Sequence, residues 1–126
     1  MMKDFEPQGP VGQLFERFNY LRDLPEGWDE GAVAETIDED AITTAWELAV
    51  YAWDTKAEMP GVFPMEDGGV LVEWSSPTAV TNIEVQPGGT VMSLFDLHPA
   101  SHDKITTLED STLEQAKAFI DVAIES

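Results

Sequence analysis

The sequence predicts one α+β domain: an antiparallel sheet of about four strands in two hairpins, with three helices mostly on one face, in the order ααββββα. Three observations lead there. Apolar residues recur at helical spacing near both ends of the chain. Between Met59 and Leu97 the period shifts towards two. Two glycine pairs, Gly68-Gly69 and Gly88-Gly89, interrupt that segment where hairpin turns belong. A chain of 126 residues, 43% of them hydrophobic, suits a single domain (1–126) with a real core. Residues 1–10, with Pro7, Gly9 and Pro10, read as a loose lead-in.

The first helix is expected from about Val11 to Leu24. Leu14, Phe15, Phe18, Leu21 and Leu24 share one side, and Glu16, Arg17, Asn19 and Asp23 the other. Pro25 and Gly27 end it. An acidic, turn-rich connector, PEGWDEGAVAE, leads to a second helix that should reach about Thr55. Thr36 with Glu39 reads as its capping box, and Asp38, Glu39 and Asp40 suit the positive end of a helix dipole. Ile42, Ala45, Trp46, Ala49 and Trp53 form an apolar stripe, widened by Leu48 and Ala52, which suits packing on more than one side.

MPGVFPMEDGGVLVEW then reads as two short strands around Glu66-Asp67-Gly68-Gly69, with Val70, Val72 and Trp74 on a common face. A second hairpin follows, with strands near Ala79–Gln86 and Thr90–Leu97 joined at Pro87-Gly88-Gly89. Thr81, Ile83 and Val85 alternate with Val80, Asn82 and Glu84, and Val91, Phe95 and Leu97 are expected inward in the last strand. The polar stretch His98–Asp110 is expected to be loop. Ser111 with Glu114 reads as a second capping box, opening a final helix to about Ile124 on the stripe Leu113, Ala116, Ile120 and Ala123.

Charge carries the strongest functional signal. Twenty-five acids face six bases, a formal net charge of −19. So large an imbalance works against the compact state through self-repulsion. It disfavours direct nucleic-acid binding, which needs a basic footprint, and favours a basic protein surface as partner. Between Arg22 and Lys56 no base occurs, and seven acids crowd between Glu26 and Asp40: Glu26, Asp29, Glu30, Glu35, Asp38, Glu39 and Asp40. Carboxylates spaced along a loop and a helix start can imitate a phosphate backbone; they can equally be a solvated face with helix-capping charge. Trp28 lies inside this stretch as either an anchoring contact or a plug for the core. The expected contact residues are therefore Glu26, Trp28, Asp29, Glu30, Glu35, Asp38, Glu39 and Asp40.

Other chemistry is thinly supported. The acidic connector lacks the alternate spacing of a calcium loop. His98 and His102 have a spacing that suits zinc on a helix, but Pro99 argues against a helix there. With no cysteine there is no thiol nucleophile, disulfide or thiolate metal site. No nucleophile elbow, phosphate-binding loop, dinucleotide fingerprint or H-E-x-x-H motif occurs. With so many acids, a close carboxylate pair has no diagnostic value for hydrolysis. Neither an enzyme nor a cofactor is expected.

The run LRDLPEGWDEGAVAE, a helix, then PMEDGGVLVEW and NIEVQPGG resembles a group of small uncharacterised bacterial and phage proteins with a GWDG-type motif followed by a GG-x-x-x-EW hairpin. The matching positions are Gly27, Trp28, Asp29, Gly31, Ala32, Gly68, Gly69, Glu73 and Trp74, within residues 18–97. Where the group has glycine after the aspartate, this chain has Glu30. The resemblance implies the order of elements and a phage or mobile-element setting; it brings no activity.

The reading that follows is an acidic inhibitor of DNA-mimic or anti-defence type (anti-CRISPR-like), which occupies a basic, nucleic-acid-handling surface of a target protein. Two others compete with it: an antitoxin or immunity protein neutralising a basic toxin, and an accessory protein whose acidity serves solubility alone. A cytoplasmic protein is expected from the lack of an apolar secretory segment and of cysteine, and a monomer or weak dimer from charge repulsion. No membrane contact is expected, because the apolar runs fall far short of the roughly 20 residues that cross a bilayer.

Overall fold

The computed structural model describes residues 9–28, 35–56, 59–76, 79–98 and 104–123. Helices α1 (Gly9–Arg22) and α2 (Glu39–Lys56) precede strands β1 (Gly61–Pro64), β2 (Val70–Ser76), β3 (Ala79–Val85), β4 (Met92–His98) and β5 (Lys104–Ser111). Helix α3 (Leu113–Ala123) closes the chain. Each strand pairs antiparallel with the next, giving one sheet in the order β1-β2-β3-β4-β5. The class is α+β, as the sequence predicts. Three helices lie against the sheet, which has one strand more than expected.

That additional strand, β5, occupies the stretch read as loop. Its sequence, KITTLEDS, has three β-branched residues but six polar ones among its eight, the composition of an edge strand rather than a central one. Its alternation is also broken: the β4–β5 register shifts between Met92 and Leu94, and Asp110 adopts φ 57° in the left-handed region. A bulge of this kind inserts one residue and spoils the period of two on which strand recognition depends.

The inner face of the sheet carries Val62, Val70, Val72, Trp74, Ile83, Val85, Met92 and Leu94, all buried. The strand register sets them side by side, with Val70 opposite Val85, Val72 opposite Ile83 and Ile83 opposite Leu94. Helix α2 lays Ala41, Ile42, Ala45, Leu48, Ala49 and Ala52 against them. Its alanines let the helix approach closely, and Leu48 and Ile83, both fully buried, contribute about 1.5–3 kcal/mol each through burial. Leu14, Phe18 and Leu21 come from α1, Ala116 and Ile120 from α3. Trp74 is buried in this layer, and its indole N–H has no hydrogen-bond partner among the described residues.

Two inward assignments are corrected. In β4 the buried residues are Met92 and Leu94, whereas Phe95 stands on the opposite face, paired with Asn82. The β3–β4 turn closes with Gln86 receiving Val91 as its partner (Gln86 N–H to Val91 O, 3.0 Å), which sets Met92 beside Val85 and fixes the phase of the strand. Phe15, assigned to the core stripe of the first helix, is 38% exposed and meets Trp46 edge-on at 6.3 Å.

The caps also differ by a residue or two. Asp38 caps α2, accepting the Ala41 N–H at 3.0 Å, where Thr36 was expected. At α3 the capping box is Thr112 with Gln115: Gln115 N–H donates to Thr112 Oγ1 (3.2 Å) and Thr112 N–H to Gln115 Oε1 (2.8 Å). Ser111, the expected cap, is buried as the last residue of β5. At the opposite sheet edge Arg17 Nε donates to Val62 O at 2.7 Å, and its guanidinium lies over the rings of Tyr20 (4.7 Å) and Phe63 (5.6 Å). A charged side chain bonded to the edge backbone blocks further strand pairing there.

Candidate functional site

The segment entering α2 is tied to both hairpin turns through its backbone. Glu35 N–H donates to Glu66 O at 2.9 Å and Asp38 N–H to Gly68 O at 2.8 Å. The Asp38 carboxylate reaches further: besides capping α2, its Oδ2 accepts the Gly88 N–H at 2.9 Å. From the first turns of the helix, Thr44 Oγ1 donates to Gly89 O at 2.7 Å.

These close approaches explain the two glycine pairs. A Cβ at Gly69 would collide with the Val85 carbonyl oxygen, and one at Gly89, where φ is +74°, with the Asp40 carbonyl oxygen. The pairs are turn and docking positions, as hairpin chemistry predicts, and their N–H groups are engaged within the fold: Gly69 with Asp67 Oδ1 (2.9 Å) and Gly89 with Gln86 O (2.9 Å).

Where the three segments meet, Glu35, Thr36, Asp38, Glu66, Asp67 and Pro87 line an open cleft of about 650 Å³. Four carboxylates from two stretches of the chain thus surround one space, and among the described residues that line it there is no lysine, arginine or histidine. Glu35, Glu66 and Asp67 are exposed, whereas Asp38 is half-buried and turned to its backbone partners. Such a group attracts and binds hydrogen-bond donors of positive charge, ammonium and guanidinium above all. Among the described residues no three His, Asp or Glu side chains form a set able to hold a metal ion.

The eight expected contact residues have different fates. Glu35 and Asp38 line the cleft. Glu39 and Asp40 follow on the first turn of α2, both exposed; Glu39 pairs with Arg22 at 3.0 Å, an exposed contact worth about 0–1 kcal/mol. Glu26 is exposed in the turn after α1. Trp28 is neither fully outward nor sealed: half-buried, it donates its Nε1–H to Glu35 O at 3.1 Å, bracing the end of the connector. Asp29 and Glu30 lie outside the described residues, as do His102 and the motif positions Gly31 and Ala32.

Glu66 and Asp67 were missed as site residues. In the sequence they are turn positions nearly thirty residues from Asp38, and only the docking of the turn on the α2 entrance joins them to it. The acidity of the turn itself was the available signal. Acids are not confined to this end of the molecule. Glu16 on α1, Glu84 on β3 and Glu114 on α3 are exposed elsewhere, and Glu47 pairs with Lys117 at 3.1 Å.

Comparison with known proteins finds no family model, no curated protein and no solved structure that matches this chain. Among the described residues no helix is long and apolar enough to cross a membrane.

Proposed function

We propose that this protein is a binding module whose acidic face occupies a basic, nucleic-acid-handling surface of a target protein and inhibits it by displacing nucleic acid. One observation carries the reading: the cleft at the hairpin end brings together Glu35, Asp38, Glu66 and Asp67 from separate segments of the chain. Like charges held together on a docked backbone cost stability, and a positive partner surface relieves that cost. The net charge of −19 extends the same field beyond the cleft and speeds encounter with such a surface. A phage or mobile-element setting, implied by the GWDG-type resemblance, suits an inhibitor of host nucleic-acid enzymes.

Capture from a host lysate at low and high salt tests this reading. The expected result is one basic protein retained at low salt and released at high salt. Its nucleic-acid binding should fall when the acidic protein is added. A variant combining Glu35→Gln, Glu66→Gln and Asp67→Asn should bind it about tenfold more weakly, the equivalent of roughly 1.4 kcal/mol. Recovery of no specific protein, or equal capture by the variant, would reject the proposal in favour of acidity that serves solubility.

A further inference from the structure

A chain with 25 acids and six bases should leave none of its cations without a carboxylate, yet one is so placed. Of the three bases whose side chains are described, Arg22 holds Glu39 at 3.0 Å and Lys117 holds Glu47 at 3.1 Å; Arg17 holds none. Its setting is aromatic instead. The guanidinium carbon lies 4.7 Å from the centre of the Tyr20 ring and 5.6 Å from that of Phe63, and Nε–H donates to Val62 O at 2.7 Å. Guarding the β1 edge consumes that single donor. Both Nη groups keep their N–H donors without an acceptor among the described residues.

Arg17 also lines a hollow. Between α1 and β1 a cavity of about 190 Å³ is bounded by Arg17 with Gln13, Leu14, Met59, Val62 and Phe63. Leu14 and Val62 are buried, Met59 is half-buried and Gln13 is exposed. The Phe63 ring is folded over Gly61, where an added Cβ would come within 2.9 Å of it, so this wall needs a strand position without a side chain. One fixed cation among apolar walls complements a monoanion on an apolar body. A guanidinium offers a planar fork that matches a carboxylate through two parallel N–H···O bonds. Its stacking between two rings orients that fork in advance, which reduces the freedom lost on binding. A phosphate dianion calls for a second cation, and among the described residues that line the hollow there is none.

We propose that the hollow between α1 and β1 binds a small carboxylate with an apolar body, its carboxylate on the Nη groups of Arg17 and its body against Met59 and Phe63. This site takes an anion where the acidic cleft takes a cation, and it does not rest on the reading of the chain as a binder of basic proteins.

The test follows the amide resonances of the full chain by nuclear magnetic resonance during titration with phenylacetate, with neutral phenylacetamide and with inorganic phosphate, at fixed pH and ionic strength. Phenylacetate should give saturable shifts at the amides of α1 and β1 in the millimolar range, about tenfold tighter than phenylacetamide. Phosphate should give none there over the same range. Gln13→Glu sets a carboxylate one helical turn before Arg17, at an exposed position on the rim of the hollow, where it occupies the guanidinium without disturbing the core. This variant and Arg17→Gln should each weaken phenylacetate about tenfold, with the remaining amide resonances in place. Equal binding of acid and amide would overturn the proposal, as would phosphate binding as tightly as phenylacetate. An affinity unchanged in Gln13→Glu, or no saturable shift with phenylacetate at all, would overturn it as well.

Discussion

Asp38 lies in the acidic run yet has its carboxylate turned inward. Its Oδ2 accepts two backbone N–H groups, Ala41 at 3.0 Å and Gly88 at 2.9 Å, so one side chain joins the start of α2 to the second hairpin turn. Asp38→Ala removes both acceptors and is expected to cost about 1–2 kcal/mol, the usual loss for a good helix cap. Asp38→Asn keeps an acceptor oxygen and should cost less. Glu35→Gln, at an exposed position whose backbone N–H and carbonyl bond Glu66 and Trp28, should stay within about 0.5 kcal/mol of the parent. Urea denaturation of the three variants checks this ranking, and a Glu35→Gln loss equal to that of Asp38→Ala would contradict it. The same contrast separates residues that build the acidic face from those that present its charge.

At the scale of elements, α3 is fastened to α2 by polar contacts at the rim of the core. The Tyr51 hydroxyl donates to both carboxylate oxygens of Asp121 at 2.8 Å, and Lys117 lies over the Tyr51 ring at 5.5 Å while reaching Glu47. The hydrogen bond to Asp121, followed by burial and the nearby charges of Asp121 and Glu114, raises the Tyr51 pKa above a tyrosine's ordinary value. A raised folded-state value favours the protonated phenol. Its stabilisation is therefore complete below the unfolded-state value, about 10, and disappears as pH climbs through the higher folded-state one. Thermal melts between neutral and strongly alkaline pH should show this loss in the parent and a smaller one in Tyr51→Phe; identical alkaline profiles would refute the link. The helices and β2 and β3 were legible in the sequence because each has one buried side whose period is unbroken. Less was legible where phase depends on a turn: the residues spent between Gln86 and Val91 decide that Met92, not Phe95, faces inward. The fifth strand was hidden by its edge composition and its bulge. The acidic cleft was half legible. Glu35 and Asp38 stood in a conspicuous acidic run, whereas the arrival of Glu66 and Asp67 depends on loop-to-helix docking, which leaves no periodic trace in a sequence.

For the whole molecule, a net charge of −19 makes folding an electrostatic compromise. Added salt shortens the range of repulsion, to about 10 Å at 0.1 M and about 3 Å at 1 M. The melting temperature should therefore rise with sodium chloride across that interval, even as binding to any basic partner weakens. A melting temperature that falls over the same range would mean that the few exposed ion pairs outweigh the repulsion. The order of the sheet has a consequence of another kind. Because every strand pairs with its immediate successor, the sheet can zip up hairpin by hairpin as the chain leaves the ribosome, without first closing a long loop. The docking of α1 and α2 on the sheet, the return of the hairpin turns to the beginning of α2 and the arrival of α3 join distant parts of the chain. The acidic cleft, lined from the α2 entrance and from both hairpin turns, is complete only once the second turn has docked.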